Sequence, residues 1–290
     1  MADTGSSSGK ILVTGASGGV GRSLVRQLLE RGYGVLGSAL NQADLDNAKA
    51  EGLENADWFV ADFSNAETGR AQVSQALNRS GGPLVAVVGC AGVNPCGPLE
   101  TTPIEVFRRA MEINAVANLV IYQLCLPYLR ESKGRFIFVS SMAGKVAFPL
   151  LGYYTASKYA LEGLADAMRL EAGQWGVSVS LVEPGAIATD MVHGFGALLD
   201  SRLAELDEQG RENYGDYFAQ QKAFSAAADA IALTPDEVAA TIVGALESKN
   251  PETRYPLGGA VDLLEKRRLS SDREVDAMLN QLLPGCRANA

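Results

Sequence analysis

From residue 10 to about residue 185, short unbroken apolar runs alternate with longer amphipathic stretches, and this alternation constrains the fold more than any other feature. The runs are 11–14, 35–39, 58–61, 84–88, 136–139 and 177–182. Between them, 20–31, 66–79, 104–129 and 157–174 carry apolar residues at helical spacing. Strands with no polar face must be covered on both sides, which implies a parallel sheet between two helical layers. Right-handed crossovers then leave a doubly wound α/β sheet as the economical topology.

Beyond that region the pattern changes. Residues 190–232 are polar, acidic and helical, and the sequence predicts a lid. Thr234-Pro235-Asp236-Glu237 has the form of a capped helix start with proline at the first position, opening a helix through Glu247. Residues 255–258 suggest a last short strand, followed by a tail carrying Leu263, Leu264, Met278, Leu282 and Leu283. No repeat or low-complexity linker divides the chain, so 10–290 is expected to be a single domain. The Ser/Gly-rich residues 1–9 read as a flexible leader.

The segment Thr14-Gly15-Ala16-Ser17-Gly18-Gly19-Val20-Gly21 joins the first strand to the first helix. Glycine allows positive φ and lets a phosphate approach the backbone, while a helix N-terminus offers free N–H groups. Placed there, Gly15, Ser17, Gly18, Gly19, Val20 and Gly21 predict a dinucleotide site. The second strand ends in Ser38-Ala39-Leu40-Asn41, with neither the acid that selects NAD nor the base that accommodates the NADP phosphate. Asp62, with Phe63 beside it, follows the third strand and is placed to meet the adenine.

Composition excludes other classes. A net charge of −9 argues against nucleic acid or an anionic membrane as the main partner. Four scattered cysteines and one histidine give no metal-ligand spacing, so no metal is expected. The thiols read as reduced residues of a cytoplasmic protein. His193 has no nucleophile elbow for a serine hydrolase. No run approaches the ~20 consecutive apolar residues of a membrane anchor.

Tyr154 and Lys158 stand four apart at the start of a helix and share a face. A free phenol titrates near ~10, too high for a base at neutral pH. A neighbouring ammonium and an oxidised nicotinamide would favour the phenolate and bring that value down. Ser141 ends the fifth strand, on the sheet edge where such folds bind ligands, and can bond a substrate oxygen.

Together, Gly15-x-x-x-Gly19-x-Gly21, Ala91-Gly92, Asn114, Ser141, Tyr154-x-x-x-Lys158 and Pro184-Gly185-x-Ile187-x-Thr189 resemble the short-chain dehydrogenase/reductase superfamily over residues 10 to about 260. The resemblance implies a Rossmann fold and hydride transfer between a nicotinamide dinucleotide and a secondary alcohol or ketone. It makes Tyr154 the general acid/base, Lys158 its partner and the holder of the nicotinamide ribose, and Ser141 the group polarising the substrate oxygen. Asn114 would hold a water linking Lys158 to solvent. Pro184, Gly185, Ile187 and Thr189 would meet the nicotinamide. The family's Asn-Asn-Ala-Gly is replaced here by Gly89-Cys90-Ala91-Gly92, which keeps the backbone of Cys90, Ala91 and Gly92 against the cofactor but loses two asparagine side chains.

The pattern is closest to the retinol and hydroxysteroid dehydrogenase branch, from the Tyr154–Tyr159 and Glu183-Pro184-Gly185 segments, Tyr214–Phe218 and 251–255. This inclines the expected cofactor to NAD over NADP through Ala39, Leu40 and Asn41, and the substrate to a hydrophobic one of steroid, retinoid or polyketide type. The alternatives are an NADPH-dependent carbonyl reductase and a non-catalytic dinucleotide sensor. Phe148, Met191 and Phe195 are the candidate substrate contacts, with Leu150, Leu151, Leu198 and Leu199 around them and Tyr153 as a pocket wall. A homodimer or homotetramer is expected from the resemblance and from the long apolar helix 104–129.

Overall fold

Strand β1 (Lys10–Thr14) shows why the sheet lies in the middle of the molecule. Its side chains alternate between faces, and both faces are buried. Ile11 and Val13 pack with Leu24, Val25 and Leu28 of helix α1 (Gly19–Glu30). Leu12, between them, joins the opposite core. Each such side chain, removed from water, contributes about 1.5–3 kcal/mol to folding. The computed structural model describes residues 9–283, so all but Gly9 of the expected leader at 1–9, and Cys286, lie outside the described residues.

The strands β2 (Gly34–Ala39), β3 (Asp57–Val60), β4 (Leu84–Gly89), β5 (Arg135–Val139), β6 (Ser178–Pro184) and β7 (Arg254–Leu257) join β1 in one sheet. Its order is β3-β2-β1-β4-β5-β6-β7 and every pairing is parallel. Ile11 of β1 sits in register with Val35 on one side and Ala86 on the other. The strand order reverses between β1 and β4. A parallel sheet opens a crevice at such a switch point, at the carboxyl ends of the strands.

One helical layer combines α1 with α10 (Pro235–Glu247), whose Val238, Ile242 and Val243 are fully buried. The capping box expected at Thr234 is present: its hydroxyl accepts from Glu237 N, and the Glu237 carboxylate accepts from Thr234 N. The other layer holds α3 (Ala66–Ser80), α5 (Ala117–Ser132) and α6 (Gly152–Ala172). Helix α4 (Ile104–Met111) runs into α5 through a wider π-helical turn, Glu112–Val116. The expected helix over 104–129 is therefore continuous but contains a π-helical turn around Asn114. The stretch Ile104–Ser132 is apolar and long enough to cross a membrane by composition, yet 61% of its most apolar window is buried inside the fold.

Two regions depart from the sequence expectation. Gln42–Ala48 forms a short helix, α2, where polar residues hid the period. The tail forms two helices, α11 (Ala260–Leu269) and α12 (Asp272–Leu282). The predicted lid consists of α7 (Asp190–His193), α8 (Phe195–Ala204) and α9 (Glu208–Asp229). Val275 and Leu279 of α12 share a third core with Phe148, Phe195, Leu199 and Phe218.

Candidate active site

The glycine turn is built for close backbone approach. Gly15 has φ +63°, and a Cβ there would lie 2.8 Å from Ala91 Cα. A Cβ on Gly19 would lie 2.6 Å from Thr189 Cγ2, and one on Gly21 would meet Gly15 O at 2.2 Å. Gly21 is thus a packing glycine and lines no cavity. Gly18 caps α1 without a side-chain acceptor, leaving the first-turn N–H groups to an incoming anion. Two cavities flank this turn and adjoin at Gly18, Gly92 and Val93. One reaches Leu40, Asp62 and Phe63; the other reaches Tyr154, Lys158 and Thr189. A continuous cradle with glycines at its waist fits an extended dinucleotide.

Of the residues expected to meet the adenosine, Gly15, Ser17, Leu40, Asp62, Phe63 and Ala91 line the first of these cavities. Ala39 and Asn41 do not. Ala39 is fully buried in the sheet, and Asn41 caps α2 by accepting from Asp44 N at 2.9 Å. Ser38 is engaged by Gly15 N, which donates to its hydroxyl at 3.0 Å. Asp62 holds its own turn by accepting from Ser64 N. Cys90 lines neither cavity, and burial pushes its thiol up to about 12. Thr14 supplies local bonds where the resemblance expects asparagines: its carbonyl accepts from Cys90 N, and its hydroxyl accepts from Ala91 N at 3.4 Å. Sequence reading missed Arg109, on α4, the one cationic side chain on this cavity wall among the described residues.

The other cavity, about 330 Å³, gathers Ser141, Tyr154 and Lys158 with Gly18, Gly19, Val20, Gly92, Pro184, Gly185, Ile187 and Thr189. Tyr154 and Lys158 project from the first turns of α6, which begins at Gly152 rather than near 157. The Lys158 Nζ stands 5.7 Å from the Tyr154 ring centre and donates to Val139 O at 3.0 Å. Burial lowers the Lys158 ammonium to about 8, opposed by the nearby Cys90 and Glu162.

The expected lowering of the phenol is not found. Burial raises the Tyr154 pKa above its ordinary 10, and a hydrogen bond with Ser141 only partly offsets that rise. Desolvation penalises the phenolate by more than the Ser141 hydrogen bond stabilises it.

Asn114 is fully buried in the π-helical turn. Its side chain accepts from Val93 N and donates to Val93 O, each at 2.9 Å, and donates to Ser157 Oγ at 2.8 Å. Ser157 in turn donates to Tyr154 O at 2.7 Å. The main-chain carbonyl of Asn114 accepts from Asn118 Nδ2. Asn114 therefore ties the β4 loop to the helix that carries the tyrosine.

Of the expected substrate contacts, Phe148, Met191 and Phe195 line the cavity. Leu150, Leu151, Leu198 and Leu199 pack behind it in the third core. Tyr153 is not a pocket wall: its hydroxyl donates to Thr102 O and its ring meets Phe107. His193 is half exposed, 3.6 Å from Asp229. Sequence reading missed Asn94 in the β4–α4 loop and Gln221, Phe224, Ser225 and Ala228 on α9. A polar helix carries no signal for which residues its docking turns inward.

The family model described as short chain dehydrogenase matches residues 9–197. The chain belongs to the short-chain dehydrogenase family. Among curated relatives, the 3-amino-tetrahydro-pyrrolizinone reductase of Xenorhabdus hominickii is 29% identical, over 92% of this chain and 93% of its own. The NADPH-dependent 3-dehydrocapnine reductase of Ornithobacterium rhinotracheale is 30% identical, over 84% and 86%. A short chain dehydrogenase from Burkholderia cenocepacia J2315, solved in complex with NADP, has a TM-score of 0.70 at 25% identity, covering 95% of this chain and 98% of that one. This short-chain dehydrogenase is an NAD(P)-dependent oxidoreductase acting on CH–OH groups. The expected inclination to NAD gains no support from these relatives.

Proposed function

We propose that the protein reduces a ketone on a largely apolar skeleton to a secondary alcohol, using NADPH. The observation carrying this reading is one cavity in which a phenol held in its protonated form, an ammonium and a serine hydroxyl face apolar lid residues. A bound reduced nicotinamide supplies the hydride. Ser141 orients the carbonyl oxygen by hydrogen bonding, and Tyr154 delivers the proton that becomes the alcohol O–H. The ammonium of Lys158 stabilises the phenolate left behind and binds ribose hydroxyls. Asn114 acts as a positioning residue, fixing the β4 loop and Ser157 beneath the tyrosine.

Two relatives are named as reductases, which supports the reductive direction. With its proton in place at neutral pH, the Tyr154 phenol can serve as the acid that a reduction requires. For the cofactor, Ser38, Ala39, Leu40 and Asn41 put no carboxylate at the end of β2, and Arg109 places a guanidinium on the cavity wall that also carries Asp62, a group able to pair with a 2′-phosphate. A relative is named NADPH-dependent, and a structural neighbour was solved with NADP.

Tyr154→Phe tests the reading. Fluorescence titration with NADPH and NADH should show tighter binding of NADPH, with affinity nearly unchanged by the substitution. Ketone turnover should fall by about 10²–10⁴-fold, the usual contribution of a positioned acid. Wild-type turnover in Tyr154→Phe would refute the role assigned to the phenol.

A further inference from the structure

Eight buried side-chain polar atoms among the described residues have no hydrogen-bond partner, and three belong to residues lining the substrate cavity. Ser140 is one, but its hydroxyl sits beside Glu162: both Ser140 Oγ and Glu162 Oε1 lie within 3.3 Å of the Cβ position that Gly144 leaves open. The other two are the side-chain carbonyls of Asn94 and Gln221. Gln221 is 3% exposed, on the inner face of lid helix α9, among Phe148, Phe195 and Phe224. Asn94 reaches the same cavity from the loop that follows β4. A native protein seldom leaves such carbonyls unsatisfied, because each loses its bonds to water without replacing them.

We propose that Gln221 and Asn94 form a second polar subsite, which accepts hydrogen bonds from a hydroxyl or amide N–H carried by the substrate in addition to its reacting carbonyl. The inference rests on the reductase reading and narrows its substrate class to apolar ketones bearing a remote hydrogen-bond donor. Both free atoms are acceptors, so the group they select is a donor. The cavity walls around them are aromatic or aliphatic, so Gln221 and Asn94 would fix which end of the skeleton enters beneath the lid. A site made to bond a substrate hydroxyl rejects an analogue lacking it, because its polar groups then remain buried and unpaired.

The test uses the full chain with NADPH and 1-tetralones hydroxylated singly at positions 5, 6 and 7, each paired with its methoxy counterpart. Methoxy groups keep the ring electronics and lack the O–H. At one or more positions the wild-type enzyme should prefer the hydroxy compound by about tenfold or more in kcat/KM. In Gln221→Met that ratio should collapse towards one, whatever the absolute rates, with most of the loss in KM. Where neither member of a pair is turned over, the reading that fails is the reductase one. The same comparison is then made by thermal shift of the NADPH complex, and equal shifts for hydroxy and methoxy compounds at every position overturn the subsite.

Stability of the free protein gives a readout that needs no ligand. If Gln221 pairs with nothing in the folded protein, Gln221→Met should raise Tm by a few degrees, because it replaces an unpaired buried amide with an apolar side chain of similar length. A fall in Tm would make Gln221 a structural residue and overturn the assignment. An unchanged hydroxy-to-methoxy ratio in Gln221→Met would overturn it too.

Discussion

Lys158 depends on the same desolvation that keeps Tyr154 protonated. Burial works against charge in both, raising the phenol and lowering the ammonium to about 8. Since binding NADPH should require the charged amine, affinity is expected to be level below pH 8 and to weaken as the free protein's Lys158 loses its proton above it. The limit is about tenfold per pH unit until the bound form's own higher pKa is reached. NADPH titrations from pH 6.5 to 9.5 measure this directly. Lys158→Met should bind more weakly at pH 7 and show no step near 8. A flat wild-type profile would remove the ammonium from cofactor binding. At this scale the sequence was informative, since residue type and spacing alone brought Ser141, Tyr154 and Lys158 together. It could not give the sign of the tyrosine shift, because the phenol's desolvation is set by what the fold places around it.

Between elements, one arginine joins three buried or half-buried acids. Arg254, at the start of β7, lies 3.0 Å from Glu162 of α6, 2.8 Å from Asp166 of the same helix and 3.2 Å from Glu183 of β6. Lys145 also reaches Glu162, at 3.1 Å. Burial and the neighbouring Glu162 raise Glu183 to about 7, against the pull of Arg254 and Lys145. A folded pKa above the unfolded value of 4.5 means that the folded state holds this proton longer. Its contribution to stability is therefore lost as pH rises through 7. Arg254→Met leaves buried carboxylates without their main cation and should cost about 3–5 kcal/mol. The loss should be larger at pH 8 than at pH 6, because without the guanidinium Glu183 can be accommodated only with its proton. Urea denaturation at the two pH values checks this, and equal losses would show that the pair does not titrate in the folded protein.

Elements differ in how well the sequence announces them, and the cause is burial. Strands covered on both faces are continuous apolar runs, so the boundaries of the first six were legible to within about two residues. Helix α2, with the polar sequence QADLDNA, presents no stripe. The π-helical turn at Asn114 is equally silent, since it arises from tertiary demands on one buried asparagine. Helices α11 and α12 are rich in charged residues, and their few leucines read as tail residues because the core they join is assembled from separate segments around Phe148, Phe195 and Phe218. The missed site residues share that origin: Asn94, Arg109 and Gln221 acquire their positions only when loop, α4 and α9 dock.

The whole molecule divides its work between two kinds of structure. The cofactor cradle is held by sheet and glycine turn, with Ile11, Leu12, Val13 and the residues beneath them fully buried. The substrate cavity is roofed by helices that join the rest through one small core, in which Val275 is 7% and Leu279 9% exposed. Those two side chains, with Met278 and the capping Leu283, place α12 in the same core as Phe148 and Phe195, which line the cavity. Replacing both by aspartate would bury two carboxylates without partners, a cost that α12 avoids by undocking. The cavity roof would then loosen while the sheet stays intact. Val275→Asp/Leu279→Asp should therefore raise the KM for a bulky ketone about tenfold or more, with NADPH affinity within about twofold of wild type, since an ordered pocket wall supplies substrate binding and not the cofactor's. Steady-state kinetics with parallel NADPH titration separate the two effects. Loss of NADPH binding would mean that α12 supports the cradle itself, and an unchanged KM would mean that the third core does not shape the substrate pocket.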